Sequence, residues 1–137
     1  MIKKNYQEPF DFFNKWFDLA KNKAKNFDVI TIATTNQENQ PSLEMGLLKE
    51  LNHKTFEIIS NSKKITQNCK IAICIYWPEL GYQVRIEGIA QKIIEDKISV
   101  EINSIEFWSN GKYRLHNRVI YNKLADKQGW QIKKLYP

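Results

Sequence analysis

The chain has 137 residues, 42% of them hydrophobic and 12% aromatic, with a formal net charge of +6. That length fits one domain with a modest core, the composition excludes a disordered polar chain, and no run approaches the roughly 20 apolar residues of a membrane span. The charge suits an anionic partner, either nucleic acid or a phosphorylated small molecule. It comes almost wholly from lysine, 18 against three arginines, and Arg114 and Arg118 fall in one five-residue stretch, RLHNR.

The N-terminal MIKKNYQEPFDFF has no apolar core and no small-residue cleavage site. A cytoplasmic protein without a secretory signal is expected. The spacing of Phe10, Phe13, Phe17, Ala20 and Ala24, widened by Phe12, Trp16 and Leu19, predicts an amphipathic helix over about 9–25. Pro9 suits its first turn and Asp11 the positive end of its dipole. After Phe27 the period changes to two. VITIATT is a strand, NQENQP a turn, SLEMGLLKEL a second strand and TFEIIS a third. Asn61 or Ser62 can cap a short helix in NSKKITQN. KIAICIYW is so continuously apolar that burial on both faces is expected. GYQVRIEGIAQKII is a long strand with Gly88 at a bulge or bend. SVEINSIEFW, YRLHNRVIY and WQIKKLY complete the strands, with SNG a hairpin signal. The pattern predicts one mainly β domain over residues 1–137, a small barrel with helical packing.

Cys69 and Cys74 form neither a CxxC nor a zinc spacing and read as reduced thiols. His53 and His116 are isolated, so no metal site is expected. No glycine-rich phosphate loop and no Ser-His-acid arrangement can be assembled. In a strand, Arg114, His116 and Arg118 would share one face, tolerable in solvent or around an anion. Lys49 ends an apolar strand, Ser62-Lys63-Lys64 opens the short helix, and Ser60 adds a hydroxyl. A helix start with two lysines can hold a phosphate, and Trp108 can stack on a planar ligand. Gln83 and Arg85 put polar groups in a strand that would otherwise take Val or Ile.

Three stretches carry a resemblance. YWPELGYQVRIEG is similar to the barrel signature of the pyridoxamine 5′-phosphate oxidase family, and IATTNQENQPSLEMGLLKEL resembles its first hairpin, which ends in Leu-Leu-Lys. EFWSNGKYRLHNRVIY followed by WQIKKLYP resembles its C-terminal signature, the specific one. The resemblance implies a split β-barrel, Greek-key-like, with an N-terminal helix, forming a homodimer that binds flavin mononucleotide (FMN) in two interface clefts. It also implies oxidation of pyridoxamine or pyridoxine 5′-phosphate, by hydride transfer from C4′ to the flavin with oxygen as final acceptor. Carried over by position, Lys49, Ser60, Lys63, Lys64, Gln83, Trp108 and Arg118 match FMN contacts. Lys49, Arg114 and His116 match positions facing the substrate, and Arg114 and His116 stand where the family's catalytic groups do. Arg85 has no role by this match; a pairing with Glu87 or with a neighbouring strand is expected.

The chain departs from the family in three places. Glu44 stands where an arginine meets the FMN phosphate. Ser-Arg-Lys reads Ser62-Lys63-Lys64, which keeps the charge and loses a bidentate fork. Only twelve residues separate Ile94 from Phe107, where the family has a segment that grips the substrate phosphate. The expected partners are therefore a second copy and a phosphorylated small molecule, with neither nucleic acid nor membrane. The alternatives are a flavin-dependent reductase of another small molecule, a non-catalytic barrel binding flavin or pyridoxal phosphate, and a basic barrel binding nucleic acid.

Overall fold

The computed structural model describes residues 7–51, 55–60, 65, 67–114, 116–126 and 128–136. In chain order its elements are α1 (Pro9–Lys23), β1 (Val29–Thr35), β2 (Pro41–Leu51), β3 (Thr55–Ile59), β4 (Lys70–Trp77), β5 (Tyr82–Ile94), β6 (Lys97–Ser109), a 3-10 turn (Lys112–Arg114), β7 (Asn117–Lys123) and β8 (Trp130–Leu135). Two compact units emerge. The first comprises Met1–Phe27, Tyr76–Arg85 and Ser104–Pro137, the second Asp28–Ile75 and Ile86–Asn103. Among the described residues no helix is long and apolar enough to cross a membrane.

The second unit is a six-stranded antiparallel barrel in the order β3-β2-β1-β4-β5-β6, and β6 pairs back onto β3 to close it. Closure covers the edge of β3 with β6, while the first half of β2, before Leu47, pairs with β1 and not with β3. β1 lies between β2 and β4, with Thr31 opposite both Met45 and Cys74. Alternation sends Ile30, Ile32 and Thr34 inward from β1. Ile30, Ile32, Phe56, Ile58, Ile98 and Val100 fill the interior. Each such side chain stabilises the fold by about 1.5–3 kcal/mol. β4 differs from expectation. Its burial alternates, with Ala72 and Cys74 only half-buried, because an antiparallel barrel covers one face of a strand where a helix-coated parallel sheet covers both. Gly88 sits where β5 and β6 touch: a Cβ there would collide with the Glu101 carbonyl oxygen.

In the first unit α1 packs on the sheet formed by the end of β6 with β7 and β8. Pro9 occupies its first turn as expected, and the helix ends at Lys23. Its buried face is Phe10, Phe12, Phe13, Trp16 and Ala20. Phe12 stacks on Phe107 at 4.0 Å and Trp16 on Tyr82 at 4.1 Å, burying large aromatic area. The Trp77 indole N–H donates to the Phe27 carbonyl at 2.9 Å, so this fully buried ring leaves no polar group unpaired. β7 begins at Asn117, not at Tyr113 as the sequence pattern predicts. Tyr113 takes a left-handed φ of 58° inside the 3-10 turn, and that breaks the extended run.

Candidate functional site

The packing of α1 decides which side chains of the first unit face away from it. Ile105, Phe107 and Tyr121 are buried, with Phe107 and Tyr121 in ring contact with Phe12. Their neighbours Glu106 and Trp108 therefore point to the opposite face. The Asn110 N–H donates to the Gly81 carbonyl at 2.8 Å. Counting antiparallel from that pair sets Gln83 across from Trp108 and Arg85 across from Glu106. On the other side of β6, Trp108 pairs with Arg118. Gln83, Trp108 and Arg118 thus form one cross-strand row, all three half-buried.

Glu106 organises the next row. Arg118 donates from Nε to its Oε2 at 3.3 Å and from NH2 to its Oε1 at 3.2 Å. This is a bidentate fork. A third bond runs from Arg118 NH1 to the Tyr136 carbonyl at 3.3 Å. Arg85 approaches the same carboxylate at 3.8 Å from a side chain 56% exposed, whereas that of Glu106 is only 8% exposed. Of the two partners expected for Arg85, the neighbouring strand supplies the one found. Glu106 itself was not singled out by the sequence. The signal was available, since it lies two residues from Trp108 on a face that otherwise holds two cations.

The RLHNR stretch does not present three groups on one strand face. Arg114 closes the 3-10 turn, with its side chain outside the described residues, and His116 precedes β7. His116 reaches the row by another route. Its ring lies 4.7 Å from that of Trp108, and the Gly111 N–H donates to its Nδ1 at 3.4 Å. With Nδ1 as acceptor, the neutral ring carries its proton on Nε2.

The second unit holds Lys49, Ser60 and Glu44. β2 and β3 pair Leu48 with Ile58 and then Glu50 with Glu57, which leaves Lys49 as the extra residue of a bulge. Bulges re-aim side chains beside functional sites. Lys97, within hydrogen-bond reach, holds the Lys49 ammonium below the ordinary lysine value, against the pull of Glu57 and Asp96. The buried Ser60 donates its hydroxyl to Glu44 Oε1 at 2.7 Å. Its N–H donates to the Asp96 carbonyl at 2.9 Å. That bond ties the end of β3 to the two-residue turn Glu95–Asp96 joining β5 to β6. Lys63 and Lys64, with the expected helix start at Ser62, lie outside the described residues.

Comparison with known proteins adds sequence and fold. Residues 98–137 match the family model of the pyridoxine 5′-phosphate oxidase C-terminal dimerisation region. The chain is 25% identical to the pyridoxine/pyridoxamine 5′-phosphate oxidase of Wolbachia pipientis wMel over 192 aligned positions, covering 96% of this chain and 88% of the relative. Those positions outnumber the 137 residues of the chain, so the relative carries several tens of residues without a counterpart here. PhzG from Burkholderia lata 383, solved with tetrahydrophenazine-1-carboxylic acid, superposes with a TM-score of 0.83 at 16% identity, covering 98% of this chain and 95% of that one. A pyridoxamine 5′-phosphate oxidase-related, FMN-binding protein from Nostoc punctiforme PCC 73102 gives 0.80 at 11% identity, covering 94% and 97%.

Proposed function

Because the chain is a distant member of the pyridoxamine 5′-phosphate oxidase family, about 25% identical to its relatives and built on the FMN-binding split-barrel fold, we propose that it binds FMN as a homodimer and oxidises a small phosphorylated substrate. The observation that carries this reading is the row Gln83–Trp108–Arg118 with His116 against the indole. A half-buried indole beside carboxamide, imidazole and guanidinium donors suits a flat heteroaromatic ring rich in acceptors. Three apolar side chains on one face of β2 support the dimer: Leu43, Met45 and Leu47 are 74%, 62% and 41% exposed. A ligand at the interface is met by groups from both copies.

Taken by itself, the first unit offers donors to a flavin ring, and the second unit, taken by itself, offers fewer neutral donors to a phosphate. The Ser60 hydroxyl is engaged by Glu44, so lysine carries the phosphate contact, from Lys49, Lys63 and Lys64. FMN, when bound, supplies the acceptor for a two-electron oxidation. The chain's own part is to bind and orient. Glu106 fixes the Arg118 guanidinium in one plane beside the indole, the Nε2–H of His116 is a donor to a ligand oxygen, and Arg114 is the second group that the sequence resemblance assigns to the substrate.

A second reading is favoured by one feature. β5 and β6 are joined by two residues, Glu95 and Asp96, where the family's phosphate-gripping segment is expected. The flavin would then serve another small molecule or have no turnover at all. An absorbance titration with FMN, followed by assay of peroxide and pyridoxal 5′-phosphate from pyridoxamine 5′-phosphate, separates these. Flavin bands perturbed on binding together with both products support the main reading. Perturbed bands without products favour the second, and unperturbed bands overturn both.

A further inference from the structure

The two-residue β5–β6 turn delivers a lysine to the place where Lys49 is aimed. Leu47 on β2, Ile59 on β3 and Lys97 on β6 form one cross-strand row. The next row holds Glu57 and Ser99, and Lys49 bulges out beside it. Lys49 and Lys97 therefore stand on either side of β3, close enough for their ammonium groups to come within hydrogen-bond reach. An ammonium has donors only. Two of them side by side repel, and the repulsion is relieved when one gives up its proton or an anion sits between them. The neighbouring carboxylates, Glu57 and Asp96, offset part of the repulsion, yet Lys49 remains depressed below the ordinary lysine value by Lys97. An open cavity of about 580 Å³ adjoins this row, lined by Met45, Gly46, Leu47, Ile59, Ser60 and Lys92 together with Glu95 and Asp96 of the turn.

We infer that Lys49 and Lys97 form a clamp for a phosphate monoester, in which Lys97, brought into place by the shortened β5–β6 turn, takes over part of the phosphate grip that the missing segment would have supplied. The inference rests on the proposed flavoprotein reading only for the identity of the ligand; the clamp itself is a property of the second unit. A phosphate between the two amines neutralises the pair and moves the Lys49 value back toward that of an ordinary lysine. Binding is strongest with both amines charged and is lost as pH rises through the depressed Lys49 value, earlier than for an unperturbed lysine.

Reductive methylation with 13C-formaldehyde places a charged, NMR-visible reporter on each lysine, and Lys49→Gln and Lys97→Gln assign the two signals. In the unmodified sequence, inorganic phosphate is expected to move both signals and to raise the Lys49 titration midpoint. In Lys97→Gln the Lys49 midpoint returns toward the ordinary lysine value without phosphate, and phosphate binds at least tenfold more weakly; Lys97→Arg keeps the binding. Pairs of FMN with riboflavin and of pyridoxamine 5′-phosphate with pyridoxamine show whether cofactor or substrate brings the phosphate. The clamp is overturned if phosphate moves neither signal, or if Lys97→Gln binds it as tightly as the parent. Flavin absorbance in the same samples keeps that failure distinct from failure of flavin binding.

Discussion

Replacing Glu44 with arginine is expected to tighten FMN binding by roughly a hundredfold. By resemblance of sequence, Glu44 stands where the family's arginine would meet the FMN phosphate, and in the structure its carboxylate accepts from the Ser60 hydroxyl at 2.7 Å. Two unit charges about 5 Å apart at an effective dielectric near 20 interact by about 3 kcal/mol, or about two powers of ten in affinity. Arginine at this position removes the repulsion, adds a bidentate donor and frees the serine hydroxyl. The check is fluorescence-quenching titration with FMN and, in parallel, with riboflavin, which has the ring and no phosphate. The gain should appear for FMN alone and shrink in high salt. Equal gains for both ligands, or none for FMN, would place Glu44 away from the phosphate.

Truncation of Glu106 to alanine should be the most destabilising single change in the first unit's polar row. Its carboxylate receives two bonds from Arg118 and lies within 3.8 Å of Arg85. Removing one partner of a buried pair leaves the other charge uncompensated, a cost of about 3–5 kcal/mol when both are buried. The Arg118 side chain is 28% exposed, so roughly 2–3 kcal/mol is the appropriate scale, lowering the thermal midpoint by about 10 °C. Glu106→Ala, Arg118→Ala and the double variant make the cycle that measures the coupling. The double variant should be less destabilised than the sum of the singles. Glu106→Gln, which keeps the shape, should fold and yet bind FMN more weakly than the parent, because the guanidinium loses its fixed plane. Strict additivity in the cycle, or unchanged FMN affinity in Glu106→Gln, would reduce the contact to an incidental surface pair.

The barrel was legible because its strands alternate. VITIATT announces Ile30 and Ile32 as core without help from the rest of the chain, and Phe12 with Trp16 does the same for α1. The row Gln83–Trp108–Arg118 was legible only through resemblance, since its members lie on three strands and nothing local links them. What escaped was set by backbone detail or by distant pairing. The 3-10 turn at Lys112–Arg114 depends on a left-handed Tyr113, a conformation with no strong signature for tyrosine. The bulge that releases Lys49 appears only once β3 is laid beside β2. Lys97 meets Lys49 because both flank β3, a relation between residues 48 positions apart in the chain. β4 misled for a different reason: an apolar run records composition, while its burial depends on what covers each face.

The central claim is that two copies of this chain bind flavin. Sedimentation velocity with FMN present, recorded together at 280 nm and at the flavin band, tests it in one run. The account predicts one boundary at twice the 16.2 kDa of the single chain, with the flavin absorbance moving in it. A boundary at the mass of one chain, or flavin absorbance left behind with the free ligand, would contradict it.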